Sequence, residues 1–169
     1  MMNRLLMITA VFSCALIQAV SPAWSEMGQA KPPLLLGVVL YYALTREGSL
    51  VLETAILAGF LQDSLGPIPH GFSVLAMVAV ALLVNQYRER VFAEHWFTHV
   101  TLGIASSALV SLLLYVTLVS TGLRNGVHFS FVMSKALGMS LLGMILIPVI
   151  YQCLEKLEIQ LGLQPRGDL

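Results

Sequence analysis

Six apolar runs, nearly free of charged residues and separated by short polar stretches, make up most of this sequence. Hydrophobic residues form 57% of the chain and charged residues 11%, whereas soluble domains are about half apolar and roughly a quarter charged. A helix needs about 20 largely apolar residues to cross a bilayer, and somewhat fewer where the membrane thins. The pattern therefore predicts an integral membrane protein.

The runs predict transmembrane helices rather than barrel strands. Lipid leaves no partner for free backbone groups, so only helices or closed barrels cross it, and unbroken Leu, Val and Ala runs lack the alternation of barrel strands. We predict an all-α fold, with residues 1–169 forming one domain. The second and third runs are short, which favours a tilted or incomplete hairpin. The predicted spans are residues 5–23, 33–44, 50–65, 72–87, 97–121 and 130–154.

The distribution of Lys and Arg predicts the orientation, since these residues are enriched in cytoplasmic loops. With the amino terminus inside, the outer side retains only Lys31 and Arg124, apart from Lys135, which falls early in the last span. Both termini are then cytoplasmic, and the loop after Asp63 faces outward. The basic residues on the cytoplasmic side are Arg4, Arg46, Arg88, Arg90, Lys156 and Arg166.

The first run has a second interpretation, because Arg4, an apolar run and "PAWSEM" together resemble a signal peptide with a cleavage site at Ala23 and Ser25. The run is longer than the apolar core of most signal peptides. Gln18 within it suits a retained helix that makes a polar packing contact. We therefore predict that the first helix is retained.

Several function classes are disfavoured by what the sequence contains. A formal net charge of zero gives no electrostatic basis for binding nucleic acid. Cys14 and Cys153 lie in apolar runs without a CxxC or Cys/His cluster, so we predict two small buried hydrophobic residues. No GxSxG motif is present and no second intramembrane Asp completes a dyad. We predict neither an enzyme nor a cofactor.

Three ionisable residues in or at the ends of the runs are candidates for function: Glu53, Asp63 and Lys135. Glu53 lies near the cytoplasmic end of the third span, where Arg46 or Arg88 can pair with it. Asp63 and Lys135 lie near the outer ends of their spans, so an ion pair between them is geometrically possible. Glu53 and Asp63 are separated by about 80° around their helix, and they therefore cannot share one site.

The stretch "GFLQDSLGPIPHGFS" concentrates the remaining candidates in one outer turn. We expect Asp63 to order this turn, either by accepting backbone N–H groups or by pairing with Lys135. Gly66 and Gly71 suit tight-turn conformations or a close approach of two helices. His70 has no second histidine at its own membrane face except on another loop, so a loop hydrogen bond is favoured over a metal site.

Two cytoplasmic segments also attract interest. Arg88 and Arg90, in the "NQYRERVFAEHWFTHV" loop, suit either the anchoring of anionic headgroups or the docking of a cytoplasmic partner. The carboxyl-terminal "YQCLEKLEIQLGLQPRGDL" contains a short amphipathic extension, which we expect to lie on the membrane or to meet a partner. In the fifth run, "GIASSALVS" suits either helix packing or a partner.

The order of these features resembles the MreD family of rod-shape-determining membrane proteins. A Pro precedes an apolar run with a Tyr, and a Gly-rich helix then ends in Asp, followed by a short Gly-containing turn and a Gly before the next helix. Residues ~30 to 90 carry most of the resemblance. The corresponding residues here are Pro33, Tyr41, Gly59, Asp63, Gly66 and Gly71.

The resemblance implies a non-enzymatic component of the cell-elongation machinery in the bacterial inner membrane. It implies direct binding to MreC and, through MreC, association with MreB and the peptidoglycan synthases. A homodimer is an open alternative. The family is also similar in fold to the substrate-binding subunits of energy-coupling-factor vitamin transporters, so a small-molecule binding subunit is the alternative function. The candidate partner-binding or structural residues are Asp63, Gly59, Gly66, His70, Gly71, Glu53, Lys135, Arg88 and Arg90.

Overall fold

A computed structural model of the chain describes residues 2–22, 31–66, 71–87, 96–120 and 129–162. These residues form helices and turns without a strand, which confirms the all-α prediction. The helices are α1 (Met2–Val20), α2 (Leu34–Thr45), α3 (Ser49–Ser64), α4 (Phe72–Tyr87), α5 (Trp96–Ser120) and α6 (Phe129–Gln160).

Each helix coincides with one predicted run, and the clearest difference is at the end of α6. The sixth run was expected to end at Leu154, but α6 continues to Gln160. By length and composition, two helical segments suffice to cross a membrane, Met2–Val20 and Met133–Gln160. Leu34–Thr45 and Phe72–Tyr87 are apolar but shorter, so a six-span topology stays a prediction.

Helix α2 lies at the centre of the bundle, in contact with α1, α3, α4 and α6. Every residue from Leu34 to Ala43 is buried. A helix that is apolar on all sides is typical of such an enclosed position. Because its neighbours surround it, α2 fixes the relative positions of four other helices.

Helices α3 and α4 form a tightly packed hairpin. A Cβ atom added at Gly59 would lie 2.5 Å from the Cα atom of Val74, which is closer than atoms approach without a shift. Ala55, Ala58 and Ala76 are also buried in this region. Small side chains therefore allow the two backbones to approach closely.

Helices α5 and α6 pack through small residues as well. A Cβ atom on Gly103 would lie 2.8 Å from the carbonyl oxygen of Gly143, and Ser107 lies against Gly143 from the same side. The Ser140 hydroxyl donates to the carbonyl oxygen of Ile104 at 3.5 Å. The "GIASSALVS" segment thus serves helix packing, one of its two predicted roles.

The two cysteines differ in exposure. Cys14 is half-buried in α1, whereas Cys153 is exposed on α6. The prediction that both are buried is therefore wrong for Cys153, because none of the described helices covers that position on the surface of α6.

Helix α6 runs parallel to α2 and extends far beyond one end of it. Ile150 packs against Gly37 in the first turns of α2, and Glu158 meets Arg46 just after its last turn. The remainder of α6, from Ile150 back to Phe129, is about 32 Å of helix. Pro148, inside α6, falls at the start of the segment that packs on α2.

Candidate functional site

Asp63 joins the end of α3 to the beginning of α4. Its side chain is 1% exposed, and its carboxylate accepts the backbone N–H of Gly71 at 2.6 Å and that of Ser73 at 3.0 Å. The first N–H groups of a helix have no partner within the helix and favour a negative charge. The Asp63 carboxylate therefore caps α4 from the preceding helix.

The backbone on both sides of the turn supports this cap. Gly71 has φ of +106°, a conformation that costs other residues energy, so glycine suits the position. The N–H of Gly66 donates to the carbonyl oxygen of Asp63 at 3.3 Å. Residues 67–70, which include the predicted site residue His70, lie outside the described part of the chain.

Of the two arrangements that the sequence left open for Asp63, the structure shows the one with backbone N–H donors. Lys135, the other candidate partner, is half-buried on α6. That helix packs against α5 and α2. Sequence reasoning therefore located the carboxylate correctly but left its partner undecided.

Gln18 links three helices beside Asp63. Its side chain is 2% exposed. Its amide nitrogen donates to the Gln62 side-chain oxygen at 2.6 Å, and its own oxygen accepts the backbone N–H of Leu35 at 3.2 Å. The predicted polar contact of Gln18 is thus present, whereas its partner Gln62 was not predicted. We call Gln18, Gln62, Asp63 and Ser73 the Asp63 layer.

A second polar cluster lies at the opposite end of α2. Arg46 and Glu158 form an ion pair of 2.8 Å, with side-chain exposures of 12% and 1%. In the carboxyl-terminal extension, Leu154 and Glu158 pack against the bundle, while Leu157, Ile159 and Leu161 are exposed. Contact of the extension with the membrane or with a partner stays a prediction. Leu154 and Glu158 are four residues apart and therefore lie on the same face of α6. This spacing was the feature of the sequence that could have predicted their shared burial.

Asn85 closes the end of α2 in this cluster. Its side-chain amide donates to the carbonyl oxygens of Ala43 and Arg46 at 3.1 and 3.0 Å. The last carbonyl groups of a helix need such donors. Sequence reasoning placed Asn85 in a polar loop segment and missed this role.

Glu53 pairs with Arg4 of α1, at 2.8 Å, and both side chains are substantially exposed. Of the two partners that the sequence offered for Glu53, Arg46 is turned toward Glu158 instead. Arg88 and Arg90 lie outside the described residues. We call Arg4, Arg46, Glu53, Asn85 and Glu158 the Arg46 layer.

Three tyrosines pack next to the Arg46 layer. The rings of Tyr41 and Tyr42 meet edge to face with centroids 5.4 Å apart, and Tyr151 of α6 approaches Tyr41 at 5.1 Å. Such arrangements suit the quadrupoles of aromatic rings. The cluster ties α2 to α6 through apolar contact beside the ion pair.

The chemistry available in the two layers is that of hydrogen bonding and charge pairing. Asp63 and Glu158 are each engaged by donors within the protein. In the described part of the chain, no group of three or more His, Cys, Asp or Glu side chains is placed to hold a metal ion. The layers therefore fix helix ends relative to one another.

Comparison with known proteins gives one family. A family model described as "rod shape-determining protein MreD" matches residues 1–158. Neither the curated proteins nor the solved structures include a significant match. The matched range contains all six helices except the last two residues of α6.

Proposed function

The chain belongs to the MreD family of rod shape-determining proteins, and on this basis we propose that it is a non-enzymatic inner-membrane component of the bacterial cell-elongation complex. The observation that carries the proposal is the family match over residues 1–158. Its role in rod-shape determination follows from the family. The partners, the topology and the surface involved are the parts that we propose here.

We propose that all six helices cross the membrane, with both termini in the cytoplasm. Arg4 and Arg46 both belong to the Arg46 layer. Basic residues mark the cytoplasmic side of membrane proteins, which supports placing that layer inside and the Asp63 layer outside. A bundle similar to the substrate-binding subunits of energy-coupling-factor transporters is part of the same proposal.

The turn between α3 and α4 is the proposed surface for the partner MreC. The Asp63 carboxylate, with Gly66 and Gly71, holds the two ends of this turn in a defined conformation. Fixed ends on both sides of a turn reduce the entropy that is lost when a partner binds there. MreB and the peptidoglycan synthases would then associate through MreC.

Purification of the tagged full-length protein in mild detergent tests this proposal. We expect mass spectrometry to detect MreC and cell-wall synthases without a stoichiometric small molecule. Asp63→Asn should reduce MreC recovery, while Ser64→Ala, next to it and exposed on α3, should leave recovery unchanged. Equal recovery with both variants, at equal protein levels, would contradict the proposed surface.

The alternative function has its own outcome in the same experiment. A small-molecule binding subunit of a transporter would co-purify with an ATPase module or with a bound vitamin-like compound. Recovery of either in place of MreC would contradict the scaffold proposal.

A further inference from the structure

The helices of this protein are level at one end and unequal at the other. In the Arg46 layer, Arg4 and Glu53 join α1 to α3, while Asn85 and Glu158 join α4 and α6 to the end of α2. The short turn at residues 46–48 connects α2 to α3 at the same end. At the opposite end, α2, α3 and α4 stop at the Asp63 layer, whereas α6 continues. The difference in length between α6 and the helices α2, α3 and α4 therefore appears at the end that contains the Asp63 layer.

The surface formed by α3 and α4, which we call the short face, has a low apolar height. From Leu50 to Ser64, α3 rises about 21 Å, and from Gln86 to Phe72, α4 also rises about 21 Å. The hydrocarbon core of a typical bilayer is about 30 Å thick. The short face thus falls about 10 Å below the usual thickness, and any tilt of α3 or α4 lowers it further.

Helix α6 has no such shortfall. Measured from Ile150, which is level with Gly37, α6 continues about 27 Å past the first residue of α2. Even at a steep tilt of about 40°, roughly 20 Å of this excess remains. Large apolar side chains are exposed along it, on a stripe that includes Leu137, Leu141, Ile145 and Val149.

The short face cannot easily gain height from its own residues. The Asp63 carboxylate holds the N–H groups at the beginning of α4, which fixes the point where the hairpin turns. The nearby Gln62 amide is held by Gln18, so it is not available to extend toward a distant membrane surface. In the described part of the hairpin, a change in the lipid matches the heights without any rearrangement of these contacts.

We propose that the short face binds a locally thinned bilayer, in which the lipid of the leaflet at the Asp63 layer is drawn toward the bundle. The partner of this surface is the membrane itself. Lipids next to α3 and α4 are shorter or more disordered than those next to α6. This inference goes beyond the role in the elongation complex and rests on the membrane placement given under the proposed function.

Thiol labelling in nanodiscs tests the proposal on the full-length protein. In a background with Cys14→Ala and Cys153→Ala, Ser64→Cys reports the end of the short face. Leu141→Cys is the matched control, since it lies about 9 Å farther along α6 than the first residue of α2. Discs of monounsaturated phosphatidylcholine and phosphatidylglycerol with short and with long acyl chains are treated with a charged maleimide.

We expect Ser64→Cys to react about tenfold faster than Leu141→Cys in both kinds of disc, since water follows the thinned leaflet to the short face. Equal protection of the two thiols in long-chain discs would overturn the proposal. Nanodiscs leave both faces accessible and contain no protein besides their cysteine-free scaffold. The result is therefore independent of the orientation and of MreC, and its failure is distinct from a failure of the proposed function.

A second measurement needs no substitution. The midpoint of thermal unfolding of the natural chain should be higher in short-chain than in long-chain discs, because short lipids need less deformation at the short face. A midpoint that rises with chain length would overturn the proposal even if the cysteine variants failed to fold.

Discussion

Arg46 and Glu158 are separated by 112 residues in the chain and form an ion pair of 2.8 Å in which 1% of the Glu158 side chain is exposed. The pair joins the end of the central helix α2 to the end of α6. A charge that is this well buried depends on its partner, because removal of one member leaves the other without compensation.

We therefore expect Glu158→Ala to destabilise the protein by about 3 kcal/mol, toward the low end for a broken buried pair because Arg46 keeps some contact with solvent. Denaturant unfolding in detergent micelles measures this change. Glu53→Ala breaks the exposed pair with Arg4 and should cost less than about 1 kcal/mol. Similar losses for the two variants would show that the Arg46–Glu158 pair is not buried as described.

Asp63→Ala should destabilise the α3–α4 hairpin by roughly 1–3 kcal/mol, because the N–H groups of Gly71 and Ser73 lose their acceptor. Asp63→Asn keeps one acceptor oxygen and should cost less. Hydrogen exchange at the beginning of α4, followed by mass spectrometry, measures the loss of protection. Unchanged exchange in Asp63→Ala would contradict the capping role.

Gly59→Ala should separate α3 from α4, at a cost of about 1–3 kcal/mol, because the added methyl group meets the backbone of Val74. Gly37→Ala is the comparison, since its methyl group meets chiefly the far end of the Ile150 side chain, which can rotate. Thermal unfolding of the two variants should show a larger loss for Gly59→Ala. The opposite order would contradict the close approach of α3 and α4.

Gln18→Leu should cost roughly 1–3 kcal/mol, because the N–H of Leu35 and the side-chain oxygen of Gln62 lose their partner in a buried setting. Ser13→Ala, on the exposed side of the same helix, should be neutral. Unfolding midpoints of the two variants in one detergent provide the comparison. A neutral Gln18→Leu would mean that α1 is held by apolar contacts alone.

The sequence predicted contacts best where the interacting residues are close together in the chain. Asp63 stands at the end of an apolar run and is followed by glycines, a pattern that predicted a role for Asp63 in ordering the turn. Its carboxylate accepts N–H groups from residues no more than ten positions away. Arg46 was offered, with Arg88, as a partner for the nearby Glu53, because a partner 112 residues away leaves no local pattern. Asn85 was missed for the same reason, since its role depends on how α4 packs against α2.

The enclosure of α2 has a consequence for how the protein is made. Helix α2 is synthesised early, but side chains that cover one side of it, Ile150, Leu154 and Glu158, belong to α6 and follow α2 by more than a hundred residues in the chain. Until α6 is made, Arg46 has no Glu158 and one side of α2 has no cover. A chain truncated before α6 therefore presents an unfinished surface to proteases and chaperones.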